Sequence, residues 1–163
     1  MRTSQELKAY PVSNFPRIFL CFANNEKGTF LEALLPEKNA LQKTLRKYEK
    51  QNWGSFFTAA TSEPESLLLD LNNYSGEIII FHFSGHNDGK NLQFVDEAGN
   101  PLAFKDSALK AFLQSEKRLQ LVFLNACATQ HHIHALQAAG IPAIIATSQA
   151  VGDKQAKKFS HTF

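Results

Sequence analysis

Two apolar runs that end in reactive side chains decide the fold of this chain: EIIIFHFSGH at Glu77–His86 and LQLVFLNAC at Leu119–Cys127. Runs this rich in Ile, Val, Leu and Phe are typical of strands buried in a parallel sheet. In open parallel sheets, ligands bind beyond the carboxyl ends of the strands. A cysteine and a histidine at two such ends can act as nucleophile and base. Cys127 and His86 are therefore the candidate catalytic residues.

The remaining segments predict that strands alternate with helices along the chain. The sequence predicts further strands at Arg17–Ala23, 55–60 and Ala143–Ala146 and a short hairpin within 91–104. It predicts helices at about 37–50, from a cap at Thr61 or Ser62 through 71, at 105–116, at 131–139 and from about 153 onward. This order predicts an α/β fold with a mostly parallel sheet of about five strands and helices on both faces.

Length and composition limit the classes of protein to which the chain can belong. A chain of 163 residues predicts one domain that buries about 70% of its unfolded surface. Its 17 basic and 15 acidic residues give a net charge of only +2, so no nucleic-acid partner is expected. The sequence has no apolar run of membrane-spanning length and no secretion signal at its start, so we expect no membrane partner.

The two cysteines, Cys21 and Cys127, lie within or at the end of predicted buried strands, which argues against a disulfide framework. We therefore expect a reducing, cytoplasmic setting. Cys21 lies inside an apolar strand and is expected to be a small buried hydrophobic residue. His82, between two phenylalanines, is expected to be a core histidine with satisfied hydrogen bonds.

The residues around the two strand ends fit acyl transfer. A helix that begins near His131 would place its positive N-terminus close to the sulfur of Cys127 and favour the thiolate. His86 would hold a proton and pass it to a leaving amine. Gly85 would let the backbone turn sharply and a substrate chain approach. The backbone N–H groups of Cys127 and Asn87 are candidate donors to an oxyanion.

Other kinds of site have less support in the sequence. Cys127 lies near His131, His132 and His134, but a structural zinc ion needs four regularly spaced ligands. No metal and no cofactor are therefore expected. The loop at 24–28 contains a single glycine, which disfavours a phosphate-binding loop. A doubly wound ligand-binding domain and a non-catalytic interaction module remain the alternatives to an enzyme.

Two blocks of the sequence resemble the signature blocks of the CHAT domain, a bacterial branch of the caspase-like (clan CD) cysteine peptidases. The blocks are FHFSGH at Phe81–His86 and LVFLNACATQ at Leu121–Gln130. The resemblance extends to the first helix and to GIPAIIATS at Gly140–Ser148, and covers about residues 17–163. It implies a caspase-like fold in which His86 is the catalytic histidine and Cys127 the nucleophile. It also implies a regulated endopeptidase that cleaves a protein substrate within larger signalling or defence proteins of several domains or chains.

The resemblance also suggests the extent of the domain and a substrate-binding region. Residues 1–16 form an N-terminal arm and 17–163 the peptidase domain, which is expected to be incomplete at its C-terminus because related domains continue further. Ser84 and Asn125 are candidate substrate-binding residues. Related enzymes carry Asp or Gln at the position of Asn125, where they favour basic or acidic P1 side chains, respectively. The neutral Asn125 leaves the charge preference at P1 open.

Overall fold

The computed structural model describes residues 15–25, 30–59, 63–88, 91–96, 98–103, 106–127 and 129–147. The strands are β1 (Arg17–Ala23), β2 (Ser55–Thr58), β3 (Ile78–Asn87), β4 (Leu92–Val95), β5 (Pro101–Ala103), β6 (Leu121–Asn125) and β7 (Ala143–Ala146). The helices are α1 (Leu34–Lys50), α2 (Pro64–Asn73), α3 (Asp106–Ser115) and α4 (His131–Ala138). Most of the predicted N-terminal arm, the helix predicted from 153 and the expected C-terminal incompleteness lie outside the described residues.

Five parallel strands form the centre of the molecule in the order β2-β1-β3-β6-β7. The apolar strand β3 lies in the middle and pairs with β1 on one side and β6 on the other. The predicted hairpin is present as the antiparallel pair β4 and β5, and it joins the carboxyl end of β3 at His86 and Asn87. The α/β fold with a mostly parallel sheet of about five strands is confirmed.

Helices cover both faces of this sheet. Because side chains alternate along a strand, Phe19, Phe81 and Val122 share one face, and all three are fully buried. They belong to one core cluster with leucines of α2, α3 and α4, namely Leu67, Leu71, Leu109, Leu113 and Leu136. The opposite face packs against α1, whose Leu41 and Leu45 line a groove with β1, β3 and β6. None of the helices described is both long enough and apolar enough to cross a bilayer.

Two helix starts differ from the sequence-based expectation. Helix α1 begins at Leu34 instead of 37 and takes Pro36 into its first turn. This is compatible with proline because the first amides of a helix have no intrahelical carbonyl partner. Helix α2 is capped by Glu63, whose carboxylate accepts hydrogen bonds from the backbone N–H groups of Glu65 and Ser66. The predicted capping residues 61–62 lie outside the described part of the chain.

Cys21 is a core residue, as expected, and its thiol is sealed from solvent. Its exposed fraction is 0%. Burial raises the pKa of the thiol from 9.0 to about 12, and the negative charge of Asp70 adds to this increase. Cys21 is therefore a poor candidate for any nucleophilic role.

The buried thiol of Cys21 predicts a specific loss of stability in alkali. In the unfolded chain the thiol ionises near pH 9, whereas in the folded chain it keeps its proton up to about pH 12. The free energy of unfolding should therefore fall by up to about 1.4 kcal/mol per pH unit across this window because of this group alone. Cys21→Ala should cost about 1 kcal/mol at neutral pH and should lack this contribution. Urea denaturation at pH 8–10.5 measures the free energy of unfolding of the unmodified chain and of Cys21→Ala. Plots of this free energy against pH that stay parallel for the two proteins would contradict the prediction.

Candidate active site

The register of β3 and β6 brings the two candidate catalytic residues to one place. Ser84 of β3 pairs with Asn125 of β6, so His86 and Cys127 each lie two residues beyond a paired position. Neighbouring strands are about 4.8 Å apart, and residues two apart point to the same side of a sheet. Both residues line one small cleft at the carboxyl edge of the sheet. Both are partly exposed, and this edge is where the sequence predicts the chemistry.

Asn87 fixes the backbone that carries the candidate nucleophile. It is the last residue of β3 and pairs with Leu92 of β4. Its side-chain Nδ2 donates a hydrogen bond of 2.8 Å to the carbonyl oxygen of Cys127. The amide side chain of Asn87 is therefore a positioning group that the sequence reasoning did not anticipate. The predicted role of the backbone N–H groups of Asn87 and Cys127 as oxyanion donors stays a prediction.

Two threonines hold the same segment from the other side. The hydroxyl of Thr147, directly after β7, donates to the carbonyl oxygen of Ala126. The backbone N–H of Thr147 donates to the hydroxyl of Thr129 at 3.0 Å, and that hydroxyl also donates to the carbonyl oxygen of Leu124 at 3.3 Å. The sequence reasoning missed both residues. The signal that could have identified them is a threonine directly after a strand or in the loop that follows it, since such side chains often form hydrogen bonds with nearby backbone groups.

A buried polar cluster lies at the inner wall of the cleft, formed by Glu37, Ser84 and Asn125. The hydroxyl of Ser84 donates to Oε1 of Glu37 at 2.9 Å, and Nδ2 of Asn125 donates to the same oxygen at 3.0 Å. Asn125 Nδ2 also lies 3.1 Å from the Ser84 hydroxyl. The three residues are 2–3% exposed and line the same cleft as Cys127. The two predicted substrate-binding residues are thus brought together, and α1 supplies an acid beside them.

Glu37 is the main residue of the site that sequence reasoning missed. It lies on the buried stripe of α1, with Leu34 three residues before it and Leu41 four residues after it. A charged residue at a position where helical periodicity predicts an apolar one is the signal that could have identified it. The carboxylate cannot be solvated there by bulk water, so it depends on hydrogen bonds from the two neighbouring strands.

His82 is buried, as predicted, but its hydrogen bonding is not as expected. Its ring stacks on Phe123 with the centroids 4.9 Å apart. Its Nε2 lies 3.5 Å from Oε1 of Glu37 and makes no hydrogen bond. The expectation of a fully satisfied core histidine was therefore wrong. The ring lies on the α1 side of the sheet, because His82 lines a groove with Leu41 and Leu45 and shares its face of β3 with Ser84, which is two residues away.

Gly85 lies within β3 instead of forming a turn, so the predicted sharp turn was wrong. The strand continues to Asn87 because the β4 hairpin pairs with its last two residues. A Cβ atom at Gly85 would lie 2.7 Å from the carbonyl oxygen of Ala23 in β1 and 3.0 Å from the ring of Phe83. Close packing of β1 against β3 explains the glycine.

The described residues contain no group of three His, Cys, Asp or Glu side chains that could hold a metal ion. Helix α4 begins at His131, as the sequence predicts, four residues after Cys127. The cleft described above brings together the thiol of Cys127, the imidazole of His86 and the buried carboxylate of Glu37.

No protein-family model and no curated protein matches this sequence.

Proposed function

We propose that this protein is a cysteine endopeptidase of the caspase-like CHAT type that cleaves a protein substrate through a dyad of His86 and Cys127. The observation that carries the proposal is the cleft that both side chains line at the ends of adjacent parallel strands. A thiol and an imidazole in one cleft at this edge of a sheet are the minimum set for acyl transfer. No cofactor is needed for this chemistry.

The chemistry begins with transfer of the Cys127 proton to His86. The thiolate attacks the substrate carbonyl carbon and forms a C–S bond, and the carbonyl oxygen becomes an oxyanion near the backbone N–H groups of Cys127 and Asn87. The C–N bond then breaks as His86 gives its proton to the departing amine. A water molecule, deprotonated by His86, attacks the thioester and releases the carboxylic acid together with the regenerated thiol.

The difference between the two cysteines supports this assignment. Cys127 is partly exposed in the cleft, whereas Cys21 is fully buried and its pKa is raised to about 12. The backbone around Cys127 is fixed by Asn87 on one side and Thr147 on the other, which favours a constant direction of attack. Neither Cys21 nor Cys127 is in a disulfide, which fits the reducing cytoplasm that we propose as the setting of a bacterial signalling or defence system with further domains or chains.

A labelling experiment tests the proposal with an internal control for the second thiol. We expect a peptidyl acyloxymethyl ketone to modify Cys127 stoichiometrically, at least about a hundredfold faster than it modifies a free thiol in solution. Intact-protein and peptide mass spectrometry locate the modification. Cys21→Ala should label like the unmodified chain, and His86→Ala should label no faster than the free thiol.

The same measurement separates the alternative functions. A non-catalytic interaction module or a doubly wound ligand-binding domain predicts slow modification of Cys127 that does not depend on His86. Modification of Cys127 at the rate of a free thiol in the unmodified chain would therefore overturn the peptidase proposal.

A further inference from the structure

The cleft combines a buried acid with an apolar wall. Glu37 lines it together with Ser84 and Asn125, and Leu31 and Leu34 line the same cleft. The side chain of Asn24 hydrogen-bonds both the N–H and the carbonyl oxygen of Leu31, which fixes this wall against the end of β1. A ligand with an apolar stem and a positively charged end matches such a surface.

The hydrogen bonds to Glu37 hold its carboxylate without neutralising it. Ser84 and Asn125 are neutral donors, and both bind Oε1. No Lys or Arg in the described part of the chain forms an ion pair with Glu37. His82 lies 3.5 Å from the same oxygen and can offset the charge only when it is protonated. None of these contacts uses Oε2.

We propose that Glu37 makes the cleft selective for a substrate with Arg or Lys at P1, the residue whose carbonyl carbon Cys127 attacks. This inference rests on the proposed peptidase function. The P1 side chain is the one closest to the attacked carbonyl, so it enters the cleft that Cys127 and Glu37 share. A cation there gains a charge-assisted hydrogen bond in a region largely shielded from water. An acidic P1 side chain would be repelled.

Asn125 alone leaves the charge preference at P1 open, and Glu37 of α1 supplies the negative charge that favours a basic side chain. The neutral Asn125 binds Glu37 through Nδ2, so its part in selectivity is to hold the acid at the end of β6. The charge that recognises the substrate comes from a helix 88 residues away in sequence. Asn125 and Ser84 are thus positioning residues for the carboxylate of Glu37.

Matched electrophiles that differ only at P1 test the inference on the full chain. Peptidyl acyloxymethyl ketones with Arg, Lys, citrulline, Leu or Asp at P1 are compared by their second-order rates of Cys127 modification. Citrulline has nearly the shape of arginine without its charge. We expect Arg and Lys to react at least about tenfold faster than citrulline, and Asp to react slowest.

Two substitutions assign the preference to one carboxylate. Glu37→Gln keeps the side-chain size and removes the charge, so the Arg-to-citrulline rate ratio should fall to about 1. Glu32→Gln removes an exposed acid near the same wall and should leave the ratio unchanged. If Glu37→Gln fails to fold, as judged by circular dichroism, the ratio of the Arg rate to the citrulline rate in the unmodified chain decides whether the cleft prefers a charged P1 side chain.

The outcomes separate failure of this inference from failure of the proposed function. Equal rates for Arg and citrulline, with Cys127 still captured far faster than a free thiol, would overturn the P1 assignment and leave the peptidase proposal standing. Rates no faster than a free thiol for every probe would overturn both. A preference for Arg that survives in a folded Glu37→Gln variant would show that another group reads the charge.

Discussion

Replacing Cys127 with alanine is expected to lower peptide turnover at least about a thousandfold while the chain keeps its fold. In the proposed dyad the thiol forms the acyl intermediate, so its removal stops the reaction at the first step. Cys127 is partly exposed and lies beyond the end of β6, so its side chain adds little to the core. Turnover of a peptide library by purified protein measures the first effect, and thermal denaturation measures the second.

The matched variants make this expectation specific to one thiol and one imidazole. His86→Ala should cost nearly as much as Cys127→Ala, and the double variant should cost little more, because members of a catalytic unit are not additive. Cys21→Ala should keep full turnover and lose only stability. Loss of turnover in Cys21→Ala, with turnover retained in Cys127→Ala, would mean that the wrong thiol has been assigned.

The strands were predictable because their composition and periodicity are local properties. Strands β1 and β7 have the expected bounds, Arg17–Ala23 and Ala143–Ala146. The start of α1 was predicted three residues late because Pro36 was placed before the helix, whereas it lies in the first turn. Proline in the first turn marks the beginning of a helix only to within about a turn.

The candidate site was predictable only in part, for a physical reason. His86 lies near the end of an apolar strand and Cys127 follows another, and a parallel sheet brings the carboxyl ends of such strands to one edge. Glu37, Thr129 and Thr147 act through contacts that depend on which strands and helices are neighbours. Asn125 is 88 residues from Glu37 in sequence, so no local sequence pattern indicates that their side chains form a hydrogen bond.

Gly85 shows how a functional interpretation of a residue can hide a packing reason. A glycine directly before a candidate catalytic histidine suggests room for a substrate. In the structure, a side chain at this position would meet Ala23 and Phe83 in the core. The nearest atom is a backbone oxygen of the adjacent strand, which cannot move without disturbing the pairing of β1 with β3.

Gly85→Ala is therefore expected to destabilise the protein by about 2–3 kcal/mol, the upper part of the usual range for overpacking. For a chain of this size such a loss should lower Tm by roughly 5–10 °C. The methyl group would overlap the Ala23 carbonyl oxygen at 2.7 Å, so β1 and β3 must separate locally. Urea denaturation and calorimetry measure the loss of stability.

The kinetics of the same variant distinguish packing from substrate access. If Gly85 serves packing, the folded fraction of Gly85→Ala should bind peptide electrophiles with nearly unchanged affinity, and activity should fall as the protein unfolds with temperature. If Gly85 serves substrate approach, the variant should melt like the unmodified chain and its KM should rise sharply. Unchanged Tm with a raised KM would contradict the packing explanation, because overlap with a ladder carbonyl oxygen cannot leave the free energy of unfolding unaltered.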